Sequence, residues 1–111
     1  MEVKSFARDK YGAKFPMFEK TEVNGQNANE VYKFLRLHSE LYSQEKKVVS
    51  EIPWNFAKFL VDQKGQVRAY FNPRTDPLSI IPDIKKIIDE WLTGVLMNYG
   101  PINKSWYLLK N

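Results

Sequence analysis

Redox, metal and nucleophilic chemistry draw on a short set of side chains, and most of that set is missing from these 111 residues. There is no cysteine. Disulfide staples, thiolate metal sites, redox-active pairs and a cysteine nucleophile are therefore excluded from this stretch. The single histidine, His38, rules out a multi-histidine metal centre and a Ser-His pair with a histidine to spare. His38 also closes an apolar helical row with Val31, Phe34 and Leu35, which makes it a partly buried packing residue rather than a ligand or base. Lys46-Lys47, Lys85-Lys86, Arg68 and Arg74 offer positive charge, and ordinary solvated charge is the simpler reading of them. No metal and no cofactor are expected.

The composition describes the scaffold that would carry any site. With 43% hydrophobic and 14% aromatic residues the chain calls for a packed core. Seventeen Lys and Arg against thirteen Asp and Glu give a net charge of +4, mild and without a basic block, so nucleic acid is not an expected partner. No run reaches the roughly 18 apolar residues of a transmembrane span, and Met1-Glu2-Val3-Lys4 opens no apolar or Arg-rich leader. No address is visible, and the cytoplasm and the mitochondrion both stay open.

Local patterns predict the elements. Val3, Phe6, Ala7 and Tyr11 repeat at helical spacing ahead of Gly12. Phe15 to Val23 reads as a loop with a short strand, closed by the Asn24-Gly25 turn. A second helix is expected at about 28 to 39, and Ser39 to Ser50 as a solvated connection. Trp54 to Val61 carries apolar residues on both faces, the pattern of a strand inside a sheet. Asp62-Gln63-Lys64-Gly65 turns it into a partner strand, Gln66 to Phe71. A helix capped near Ser79 places Ile80, Ile84, Ile87, Ile88 and Trp91 over this hairpin and is expected to stop before Gly94. The stretch from Val95 to Asn111 is apolar and aromatic without a period.

Three blocks in order carry a resemblance: Phe15-Pro16-Met17-Phe18-Glu19-Lys20 with Val23-Asn24-Gly25, then Trp54-Asn55-Phe56-Ala57-Lys58-Phe59-Leu60-Val61-Asp62, then Pro77-Leu78-Ser79-Ile80 with Asp83-Ile84-Lys85-Lys86. Over roughly residues 2 to 92 the sequence resembles the glutathione peroxidase family, in its plant-type or phospholipid-hydroperoxide branch. The resemblance implies an α/β fold, an incomplete thioredoxin-like arrangement of short helix, helix, β-hairpin and C-terminal helix with an extended tail. It divides the chain into a domain at 1–92 and an apolar extension at 93–111. It also implies a catalytic tetrad, of which Trp54 and Asn55 match the tryptophan and asparagine. The family's cysteine or selenocysteine nucleophile and its glutamine belong to a first half that would lie ahead of Met1. Where two-cysteine members carry a resolving cysteine, this sequence has Ala7, Arg8 and Asp9.

Peroxide reduction needs a thiolate or selenolate to attack the O–O bond, and indole and amide groups can only tune that nucleophile and hold the peroxide. Trp54 and Asn55 are then auxiliaries, and for the chain by itself their structural roles, a strand-start tryptophan and a polar cap, come first. The expected function is a non-catalytic accessory or structural subunit of a larger assembly. The alternative is a fragment or separately encoded half of an active glutathione-dependent hydroperoxide reductase. Expected partners are other protein subunits along the Trp54–Val61 strand edge and the 95–111 tail, with glutathione only if a first half completes the site.

Overall fold

The structure is a computed structural model that describes residues 3–99, with side chains to residue 94. Helix α1, Val3–Tyr11, ends where Gly12 takes φ +63 and donates its N–H to the Arg8 carbonyl at 2.9 Å. Only a residue without Cβ enters that left-handed region at no steric cost, so the stop is written in the sequence. None of α1 is buried, and its aromatics meet each other, Phe6 against Tyr11 edge to face at 5.5 Å. The expected strand between Phe15 and Val23 is absent. Pro16 offers no N–H to a ladder, and no described strand runs alongside to pair with the segment.

Helix α2, Glu30–Leu37, begins at Asn29, whose side chain accepts the Val31 N–H at 2.9 Å. At its other end His38 is exposed rather than partly buried. Its ring lies 4.2 Å from that of Phe34, and Nδ1–H donates to the Phe34 carbonyl at 2.9 Å. The same carbonyl accepts the His38 backbone N–H at 3.0 Å, so the ring adds a second bond at the helix end. The stretch expected as a plain connection folds into a small hairpin, β1 at Tyr42–Ser43 and β2 at Val48–Val49, with Tyr42 opposite Val49 and Ser43 opposite Val48. Lys47 at φ 53 makes the turn.

The second hairpin is the predicted one, with a later start. Strand β3, Lys58–Val61, pairs antiparallel with β4, Val67–Phe71, setting Lys58 opposite Phe71, Phe59 opposite Tyr70, Leu60 opposite Ala69 and Val61 opposite Val67, so that Arg68 of β4 is the extra residue at a register shift. Trp54 to Ala57 are not strand. The Asp62 carboxylate organises the turn by accepting the N–H groups of Lys64 at 2.9 Å and Gln66 at 3.0 Å. A short 3-10 turn, Pro77–Ile80, is capped by Asp76 rather than Ser79 and leads into α3, Ile81–Tyr99. The helix passes through Gly94 instead of stopping before it. A mid-helix glycine costs about 1 kcal/mol against alanine, too little to end a long helix. Residues 100–111 lie outside the described part, and with them most of the predicted tail.

Helix α3 does not cover the hairpin as expected. Ile80 is buried, but Ile81, Ile84, Ile88 and Trp91 remain 40–49% exposed. Its clearest link to β4 is polar: Arg68 donates twice to the Glu90 carboxylate, at 2.8 and 3.2 Å, while also reaching Asp62 at 3.4 Å. The Gln66 N–H above all holds the Asp62 carboxyl below its ordinary 3.8, and hydrogen bonding from Arg68 holds Glu90 below its ordinary 4.5. Both depressed groups stabilise the folded state above their ordinary values, and that contribution is lost as pH falls through the depressed ones. Acidification is therefore expected to release α3 from β4. A carboxyl carbon titration of Glu90 should show a midpoint under 4.5 that moves up in Arg68→Gln; an unmoved midpoint would remove the tether.

Only Ala28, Ile52 and Ile80 are buried apolar residues among those described. The exposed large apolar side chains among the described residues include Val3 and Tyr11 in α1, Phe15 and Phe18 in the loop after it, Ile84, Ile88 and Trp91 in α3, and Trp54 and Phe56 in the turn that precedes β3.

Candidate functional site

That turn carries Trp54 and Asn55. It follows Ile52-Pro53 and bends through Phe56, which sits at φ 66. An aromatic residue in the left-handed region costs about 1–2 kcal/mol, and such strain persists only where neighbours fix the backbone. Trp54 is 77% and Phe56 82% exposed, so neither has a packing role within the described residues. A strand-start tryptophan anchored in a core is not what the structure shows. Asn55 is exposed as well.

Two depressions flank the turn. One, of about 200 Å³, is lined by Val23, Tyr32, Ile52, Trp54, Asn55, Phe56, Ala57 and Phe59. The other, of about 480 Å³, lies between Pro53, Trp54, Asn72, Pro73 and Arg74. The Trp54 indole N–H and the Asn55 amide supply hydrogen-bond donors here. Nothing at the turn supplies a nucleophile. Among the described residues no cluster of three His, Asp or Glu could hold a metal ion.

The supports of the turn are residues that sequence reasoning did not single out. The Asn24 carboxamide bridges the backbone of Ile52, its Oδ1 accepting the Ile52 N–H at 2.8 Å and its Nδ2 donating to the Ile52 carbonyl at 2.9 Å. Arg36 is 7% exposed, with Nε donating to the Ser50 carbonyl at 3.1 Å and a guanidinium nitrogen reaching the Val23 carbonyl at 3.5 Å. Lys58 Nζ donates to the carbonyls of Thr75 at 2.7 Å and Pro73 at 3.3 Å, tying the start of β3 to the loop beyond β4. Asn24 was legible only as a turn residue, and an arginine inside an amphipathic helix reads as surface. Of the basic residues noted from sequence, Arg68 is occupied by Glu90 and Asp62, and Arg74 borders the Trp54 depression.

The helices, the β3–β4 hairpin and the terminal helix match part of a thioredoxin-like α/β fold. The crystal structure of Trgpx in its apo form superposes with a TM-score of 0.60 at 30% identity, covering 68% of this chain and 48% of that one. Residues 1–36 match the family model for glutathione peroxidase. A glutathione peroxidase of Schistosoma mansoni is 40% identical over 89 residues, 80% of this chain and 50% of the relative. A probable phospholipid hydroperoxide glutathione peroxidase of Citrus sinensis is 42% identical over 88 residues, 79% and 50% respectively. A glutathione peroxidase-like peroxiredoxin of Chlamydomonas reinhardtii is 44% identical over 85 residues, 76% and 49%.

The chain belongs to the glutathione peroxidase family, and it spans about half the length of these curated relatives.

Proposed function

We propose that this chain contributes the Trp54-Asn55 portion of a thiol-dependent hydroperoxide reductase site and catalyses nothing until another polypeptide segment brings the nucleophile. The carrying observation is that Trp54 and Phe56 face solvent on a strained turn fixed through Ile52. A strained backbone holding two exposed aromatics around a hydrogen-bonding amide serves no purpose of the fold itself. In the proposed reaction a thiolate or selenolate from the other segment attacks the peroxide oxygen. The O–O bond breaks, the nucleophile becomes a sulfenate or selenenate, and the departing oxygen takes a proton to leave as alcohol or water. Two equivalents of a thiol such as glutathione then return the nucleophile to its reduced form. Trp54 and Asn55 donate hydrogen bonds toward the oxygens and the nucleophile as charge moves between them.

The second reading, a non-catalytic accessory subunit, is favoured by the complete absence of cysteine from the 111 residues. One experiment separates the two. The chain is purified alone and again after co-expression with the portion of the Citrus sinensis relative that it does not cover. Hydroperoxide consumption is followed with glutathione or dithiothreitol. No turnover alone and clear turnover in the pair is expected. A stable but inactive pair would favour the accessory subunit, and turnover by the chain alone would overturn both readings.

A further inference from the structure

We infer that Asn24 is a positioning residue for Trp54 and Asn55, acting through Ile52 and Pro53; the catalytic side of this inference rests on the proposed function. The Asn24 carboxamide uses both its acceptor and its donor on one residue, gripping the Ile52 N–H at 2.8 Å and the Ile52 carbonyl at 2.9 Å. Such a two-point grip sets the orientation of a peptide as well as its distance. It also fixes which end of the amide is oxygen, because the reversed assignment would face donor to donor and acceptor to acceptor.

The grip is transmitted because little between Ile52 and Trp54 can rotate. Ile52 precedes a proline, which confines its backbone to the extended region, and the Pro53 ring locks its own φ. Only the Pro53 ψ and the Trp54 φ remain soft. The bearing surface is itself held from both sides. Asn29 N–H donates to the Glu22 carbonyl at 2.9 Å across the Asn24-Gly25 turn. Arg36, buried in α2, reaches the carbonyls of Val23 and Ser50, one residue before Asn24 and two before Ile52. With Phe56 strained beyond the pair, the turn has a fixed end and a loaded end, and loss of the fixed end lets the turn relax.

Asn24→Ala removes both contacts and Asn24→Asp keeps the acceptor while losing the donor. Asn29→Ala is the control, since it uncaps α2 without touching Ile52. Amide hydrogen exchange read by mass spectrometry on the full 111-residue chain is expected to rise at least tenfold within residues 52–56 in Asn24→Ala, at the Ile52 amide that the Asn24 carboxamide protects. A smaller rise is expected in Asn24→Asp, with β4 unchanged in both. Asn29→Ala should accelerate α2 and leave residues 52–56 alone. In the co-expressed pair Asn24→Ala should lower kcat with little change in KM. Exchange at 52–56 that does not change, that rises only together with β4, or that rises equally in Asn29→Ala overturns the inference. If the unsubstituted pair lacks activity, the proposed function fails while the exchange result still decides the role of Asn24.

Discussion

Replacing Asn55 with alanine in the active pair should lower hydroperoxide turnover by about 100-fold or more, the size of effect that follows removal of one preorganised donor from a site of developing charge. The side chain is exposed and makes no hydrogen bond among the described residues, so the loss would come from chemistry rather than unfolding. Binding between the two polypeptides should be unchanged. Asn55→Asp separates a donor from a mere polar group: it keeps the size but replaces the amide donor with a negative charge beside a thiolate, which raises the thiol pKa. Its rate should be lower than that of Asn55→Ala at neutral pH and recover partly as pH rises. Equal rates for the unsubstituted and Asn55→Ala pairs would remove Asn55 from the site.

The second large effect concerns the chain by itself. Among its described residues only Ala28, Ile52 and Ile80 are buried apolar side chains. Trp54, Phe56, Ile84, Ile88 and Trp91 are all open. Large apolar side chains left open in such number favour association. The isolated chain is therefore expected to elute well above 13.1 kDa and to bind the hydrophobic dye ANS. The co-expressed pair should elute as one copy of each and bind little dye. A dilute, monodisperse, dye-free monomer would mean that the apolar faces find cover within the chain.

Local chemistry made much of this legible in the sequence. Gly12 and Asp62-Gln63-Lys64-Gly65 are a stop and a turn whose reasons lie within a few residues, and each appears where the pattern put it. Trp54 to Ala57 misled because an apolar run bounded by turns fits a strand equally well as a strained turn, and φ at Phe56 leaves no mark on composition. The β1–β2 hairpin was masked by the polar residues of its turn. Gly94 suggested a helix end, but the residues on either side were enough to carry α3 past it. At the candidate site, Trp54 and Asn55 were found through the family's pattern, while Asn24 and Arg36 act across 28 and 14 residues, a separation that no local signal encodes.

The length of β3 sets a ruler for any strand added along its second edge. It runs only from Lys58 to Val61, about 13 Å at 3.3 Å per residue. So short a ladder can dictate alignment but contributes few hydrogen bonds. A one-residue slip would turn the newcomer's inward side chains outward. A segment pairing here would have to be chosen by its register and held by its apolar faces, which would make a shifted but still hydrophobic strand a poor substitute for the right one.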